Sequence, residues 1–197
     1  MPDYILQISI QGQMALRQLS QQDFKICFAS AIADEGFKVI ASSMHLGSYV
    51  QFQWNDDFAI AASQSEFMNG VQFSAATDAT PIRLGQSYNL TPDWRGGVGE
   101  GGPRDGLRFN NQADRASAIV YRNINGSRAP IYFSSQQLPR GAIQEIRPIN
   151  KVAVWFQRDG QTGTMIDGPG DLSIEIDMSG RTSARVVFND DMSWSLQ

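Results

Sequence analysis

Apolar and polar side chains take turns along most of this chain, and a period of two restricts such a chain to strands with one buried face. Tyr4, Leu6, Ile8 and Ile10 share one face, with Gln7, Ser9 and Gln11 on the other. Phe24, Ile26 and Phe28 repeat the pattern, as do Val50, Phe52 and Trp54 against Gln51 and Gln53. It continues through Phe58 and Ile60, Val71 and Phe73, Ile82 and Leu84, then Leu107 and Phe109. Val152, Val154 and Phe156, Leu172, Ile174 and Ile176, and Ala184, Val186 and Phe188 carry it towards the end. Only Met14 to Leu19 has helical spacing, enough for one short helix.

Turn signals separate these runs. Asp34-Glu35-Gly36, Asn69-Gly70, Asn125-Gly126, Asp159-Gly160 and Ser179-Gly180 tolerate positive φ and favour tight reversals. The expectation is an all-β fold of about a dozen or more strands with at most one short helix. An antiparallel two-sheet sandwich is preferred, with a β-barrel as the alternative. The 197 residues show no composition break, so residues 1–197 are read as one domain. A core of that size needs no staple, and the single cysteine, Cys27, permits no internal disulfide.

The charge balance narrows the partners. A net charge of −4, with 18% of residues charged, argues against nucleic acid, which demands clustered cations. The opening residues lack a basic segment followed by a long apolar run, and no stretch is long and apolar enough to span a bilayer. The expected location is the cytoplasm, or outside after leaderless release. Asn125-Gly126-Ser127 fits a glycosylation sequon and is read as a turn.

Much ordinary chemistry lacks its residues. One histidine, His45, and one cysteine assemble no Cys/His metal site, and no metal or cofactor is expected. Asp167-Gly-Pro-Gly-Asp171 lacks the alternating ligands of a calcium loop. His45 is read as a strand-end histidine and Cys27 as a buried, inert thiol, while no Gly-x-Ser-x-Gly elbow exists. Adjacent carboxylates on a strand point to opposite faces, so Asp56/Asp57 and Asp190/Asp191 read as turns or caps rather than dyads. Glu100 with Asp105 stays open as a pair.

One stretch breaks the rhythm. Residues 91–106 hold six glycines and two prolines and read as a long loop, the kind of segment that carries function. Trp94 within it stands among Pro, Asp, Arg and Gly, unlike a core tryptophan. Trp54 is assigned to the core, Trp155 to a second core layer, a cavity or an interface, and Trp194 to sealing an edge. A ring beside carboxylates, amides and guanidinium forks suits a saccharide or another small molecule. The candidate ligand-binding residues are Asp93, Trp94, Arg95, Arg104, Asp105, Arg108 and Asn110 on the 92–112 loop.

The all-β texture, scattered aromatics and lack of a leader resemble aegerolysins, actinoporin-like toxins and cytosolic fungal lectins in general organisation. That resemblance implies a lectin- or cytolysin-like role and carries no site residues across. Residues 4–11 read as a strand, not the amphipathic N-terminal helix of an actinoporin-type pore former. The expected function is therefore binding of a small molecule or glycan. Two alternatives stand beside it: a cofactor-independent isomerase or cyclase walled by Tyr49, Tyr121, Tyr132 and Trp155, and an interaction protein forming a homodimer.

Overall fold

A computed structural model describes residues 2–197. Strand β1 (Tyr4–Ile10) leads into the helix α1 (Gln13–Gln21), followed by β2 (Lys25–Ile32), β3 (Ser42–His45) and the long β4 (Tyr49–Ser63). The middle of the chain holds β5 (Thr80–Ile82), β6 (Gln86–Leu90), β7 (Gly96–Glu100), β8 (Leu107–Asn111), β9 (Arg115–Ile124) and β10 (Ser127–Phe133). Strands β11 (Leu138–Pro139), β12 (Ile143–Ile146), β13 (Pro148–Gln157), β14 (Ile174–Asp177), β15 (Ser183–Phe188) and β16 (Trp194–Leu196) complete it.

The strands form three open sheets. The largest runs β10-β9-β4-β1-β15-β16, with β5 and β11 added at its side, and the other two run β12-β8-β6-β7 and β14-β13-β2-β3. No sheet closes on itself, so the sandwich holds and the barrel does not. Not every pairing is antiparallel: β1 lies parallel to β15, and β6 parallel to β8. The first of these joins the two ends of the chain side by side in the large sheet.

The alternation read from sequence sets what each sheet buries. Leu6, Ile8, Phe52, Trp54, Val186 and Phe188 project from the large sheet into one core. Ile26, Phe28, Val152, Val154 and Phe156 meet them from the β2–β13 sheet, and Tyr88, Leu90, Leu107 and Phe109 from the β6–β8 sheet. Phe28 stacks on Phe52 at 4.7 Å between ring centroids. Cys27, Ala29, Ala153 and Trp155 alternate to the opposite face and form a second layer under Phe37, Ile40 and Ile166. Trp54 and Trp155 are both core residues, and Trp194 closes an edge by stacking on Phe156 at 5.3 Å.

Several residues expected in strands lie outside them. Val71 and Phe73 flank a single isolated bridge from Gln72 to Thr164, while Leu84 and Leu172 are exposed beyond the ends of β5 and β14. In these short runs apolar side chains cover neighbouring surface instead of entering a ladder. Phe73, for instance, packs on Phe133 at 5.2 Å between centroids.

The helix is capped from far away in sequence. Its N-terminal flank is Gly12, and an added Cβ there would sit 1.7 Å from the Asp190 carboxylate oxygen. That oxygen accepts the N–H of Ala15 at 3.2 Å, so Asp190 serves as the cap that Gly12 has no side chain to supply. Asp191 accepts the N–H of Ser193 at 3.2 Å in a turn. Both aspartates are thereby spent on the backbone, one as a cap and one in a turn.

The large sheet holds an irregularity with a strong side chain inside it. Between Trp54 and Phe58 the register of β4 on β9 slips, leaving residues 55–57 bulged out of the ladder. Arg122 of β9 points inward, only 2% exposed, and fills the gap. Its guanidinium donates to the carbonyl of Asn55 at 2.9 Å, to Asp56 at 2.5 Å and, across the core, to the Ser30 hydroxyl of β2 at 3.0 Å. Burial lowers the pKa of this arginine, and the neighbouring Asp56 carboxylate opposes that shift. Replacing Arg122 by Ala should cost about 3 kcal/mol and lower Tm by about 6–12 °C, read by thermal denaturation. Arg122→Lys should recover little of this, because one ammonium cannot reach three separated acceptors.

Candidate functional site

The glycine-rich stretch is not the long loop that its composition predicts. Gly96–Glu100 is an edge strand, β7, paired antiparallel with β6, and Leu107–Asn111 is β8 inside the same sheet. Several glycines have a steric reason. A Cβ on Gly96 would lie 1.7 Å from the Tyr88 hydroxyl oxygen, one on Gly102 would lie 2.1 Å from the Gln86 carbonyl, and one on Gly106 would lie 2.7 Å from the Ile146 carbonyl. Gly97 meets nothing within 4 Å. Composition marks the close approaches correctly but cannot say that an edge strand makes them.

This sheet separates the seven candidate residues. Asp93, Trp94 and Arg95 lie in the turn between β6 and β7. Thr91 shapes that turn: its hydroxyl donates to Asp93, and it accepts the N–H of Arg95 at 3.0 Å. The Thr91 hydroxyl holds the Asp93 carboxyl below its ordinary value. Asp93 also pairs with Arg95 at 3.2 Å. The N–H of Trp94 donates to the Thr91 carbonyl at 3.0 Å, and Trp94 takes a φ of 62°, a left-handed conformation unusual for an aromatic residue. The turn thereby lays the Trp94 ring half-buried against the core.

Beside that ring lies a solvent-open cleft of about 440 Å³, lined by Thr77, Asp78, Thr80, Tyr88, Trp94 and Arg95. Tyr88 forms the floor, and its hydroxyl shares a 3.0 Å hydrogen bond with Thr77. Burial raises the Tyr88 pKa, with the Thr77 contact opposing, so the phenol stays a neutral donor or acceptor. The Arg95 side chain is 85% exposed at the rim, where it pairs with Asp93. The segment 76–80 that supplies Thr77, Asp78 and Thr80 was not predicted as part of any site. Its residues alternate too weakly to stand out, and only the fold brings them to Trp94.

Arg108 and Asn110 lie elsewhere. They alternate with the inward Leu107, Phe109 and Asn111, so they project from the outer face of the small sheet. Arg108 pairs with Glu145 at 3.4 Å, and Asn110 donates to Asn89 at 2.6 Å. Asp105 accepts from Arg147 at 3.0 Å, while Glu100 accepts from Gln86 at 3.1 Å, so those two carboxylates are occupied separately. Arg104 stands exposed in the turn before β8 and joins neither of these paired networks.

The remaining chemical groups are dispersed. His45 is exposed at the end of β3. Cys27 is completely buried, and its thiol is pushed up to about 11 by that burial. Tyr49 is 52% exposed, Tyr132 and Trp155 are enclosed in different core layers, and Tyr121 packs on a third cluster, so these four do not wall one cavity. Among the described residues no three His, Cys, Asp or Glu side chains gather in a way that could hold a metal ion, and no helix is long and apolar enough to cross a membrane.

No protein-family model, curated protein or solved structure matches this chain.

Gly96→Ala should destabilise the fold by about 1–3 kcal/mol through the clash with Tyr88, whereas Gly97→Ala should stay within about 0.5 kcal/mol, both read by urea denaturation. Cys27 makes a prediction in pH. Its folded pKa is raised, so its contribution to stability is complete below about 9 and is lost as the pH rises towards about 11. Denaturation curves across that window should fall more steeply for the native chain than for Cys27→Ala.

Proposed function

We propose that this protein is a β-sandwich binding protein that holds a small saccharide in the Trp94 cleft. The observation that carries the reading is the built turn. Thr91, Asp93 and Arg95 hold Trp94 in a costly left-handed conformation whose result is a ring laid beside an open polar cleft. A saccharide offers an apolar ring face to an aromatic side chain and hydroxyls to the groups around it. Asp78 supplies acceptors, Arg95 donors, and Thr77 and Thr80 hydroxyls that do both. A volume of about 440 Å³ lies within the usual span of small-molecule sites.

The residues contributed by the outer face of the small sheet, Arg108 and Asn110, belong to a different surface and take no part in this reading. Asp93 acts through the turn rather than on the ligand.

Screening the purified chain on a glycan array, followed by calorimetry with the best saccharide, tests the proposal. The double variant Trp94→Ala/Arg95→Ala should lose binding by about a hundredfold or more while stability falls by less than about 2 kcal/mol. Unchanged affinity in a folded double variant rejects the Trp94 cleft as the site.

A further inference from the structure

The large sheet presents two different outer faces. Past the β4 bulge, Ala61, Ile119 and Phe133 face outwards and are closed over by Val39 and Met165. On the other side of the bulge the outward residues of β4, β1 and β15 are partly or well exposed, except Val187, which is buried. There the outward residues stand in register: Gln51, Gln7 and Arg185 form one row across β4, β1 and β15, Gln53, Ile5 and Ser183 the next, and Tyr49 pairs with Ser9 beyond.

Three of the open clefts take residues from this face, the first of them together with α1. The first, about 560 Å³, includes Ser9, Gln11, Gln13, Arg17 and Ser48. The second, about 420 Å³, includes Ile5, Gln7, Ser183, Arg185 and Gln197. The third, about 370 Å³, includes Asp3, Gln53, Asn55, Asn123 and Asn125. The first two share β1 and so lie end to end along it. From Ile5 to Gln11 they cover about 20 Å, at about 3.4 Å per residue.

Amides and hydroxyls lead the chemistry of these linings, with Ile5, Ile10, Leu16, Trp54 and Ala184 among them. The linings contain eight primary amides and three serine hydroxyls, against three charged side chains, Asp3, Arg17 and Arg185. Arg185 is turned onto Gln7 at 3.2 Å, and Asp3 accepts from Asn55 at 3.3 Å. Ordinary solvated sheet faces carry interspersed charges, which keep them from pairing with other chains. Few cations are available here for phosphate, and the anchors of a protein interface are thin, with Tyr49 the one exposed aromatic on these rows. A primary amide both donates and accepts, and so does each hydroxyl of an uncharged sugar.

We infer that this face binds an extended neutral polysaccharide, laid along β1 with its hydroxyls on the rows of amides and a sugar face against Tyr49. The site is separate from the Trp94 cleft and does not depend on it.

The test is affinity gel electrophoresis of the full chain through gels carrying dextran, laminarin, galactomannan or xyloglucan. The expected result is retardation by at least one of the four. The triple variant Gln7→Ala/Gln51→Ala/Gln53→Ala, with an unchanged melting curve, should weaken it by about tenfold or more. Gln7→Glu provides a second, single-site variant and should weaken the same interaction. Trp94→Ala/Arg95→Ala should leave it intact, whatever that variant does to small saccharides. Migration unaffected by all four polymers, retardation equal in the triple variant, or retardation lost only with Trp94 and Arg95 would each overturn the inference. So would sedimentation showing a dimer that the triple variant dissolves, since the face would then belong to a second copy of the chain.

Discussion

A buried arginine inside a β-bulge governs the shape of this molecule. Fifteen residues of β4 serve two halves of the sandwich, and a ladder that long twists too far to face both without a break. The bulge at 55–57 supplies the break and frees a carbonyl that water cannot reach from the core side. Arg122 returns a donor to that carbonyl, neutralises Asp56 and ties β9 to β2 through Ser30. Its guanidinium also lies over the Phe58 ring at 5.2 Å. Desolvating such a group is costly, and the geometry here offsets the cost with four partners on two other strands, β4 and β2.

A second strut works on the same plan. The Tyr132 hydroxyl donates to Glu35 at 2.7 Å and accepts from Gln144 at 2.7 Å, joining the large sheet to the turn after β2 and to β12. Burial drives its pKa well above that of a free phenol, with the Glu35 carboxylate adding to the shift, so it remains a hydrogen-bond donor. Gln144 in turn accepts from Ser134 at 3.0 Å. The small sheet is thereby oriented on the large one, and its edge, where β6 turns into β7, comes to lie beside residues 76–80. The Trp94 cleft is a consequence of how sheets dock, and no local motif would have announced it.

The sandwich itself was readable from the residues, because the period of two is a local property that every exchange of strand partner preserves. Leu6, Ile8, Phe52, Trp54 and Phe188 face the core as their spacing required. The single helix was found where Met14 to Leu19 placed it, and Asn125-Gly126 makes the β9–β10 reversal with φ of 52° and 80°. The parallel pairing of β1 with β15 was not readable, since alternation gives the face of a strand and is silent on its neighbour and direction. The Gly-rich segment was misread for a related reason. Glycine reports that something comes close to the backbone, and here the visitors are Tyr88 and the carbonyls of Gln86 and Ile146 rather than a ligand. Of the residues that line the cleft, Trp94 and Arg95 were named from the sequence and the facing ones were not, because Thr77, Asp78 and Thr80 approach only through tertiary contact.

The large sheet shows what alternation leaves undetermined even when every face is assigned correctly. Ala61 and Ile119 on one side of the bulge, and Gln7 and Gln51 on the other, are all outward residues of the same sheet. The first pair is apolar and sits under covering segments, so the fold has built a third layer there. The second pair is polar without being charged and is partly exposed. Charge would have made that face inert to most partners, and apolar residues would have demanded a cover. Amides do neither, and they keep donors and acceptors facing outwards along β1 in fixed rows. A sheet whose open rows carry amides, with Arg185 the charge among them, presents paired donors and acceptors there rather than a concentration of charge.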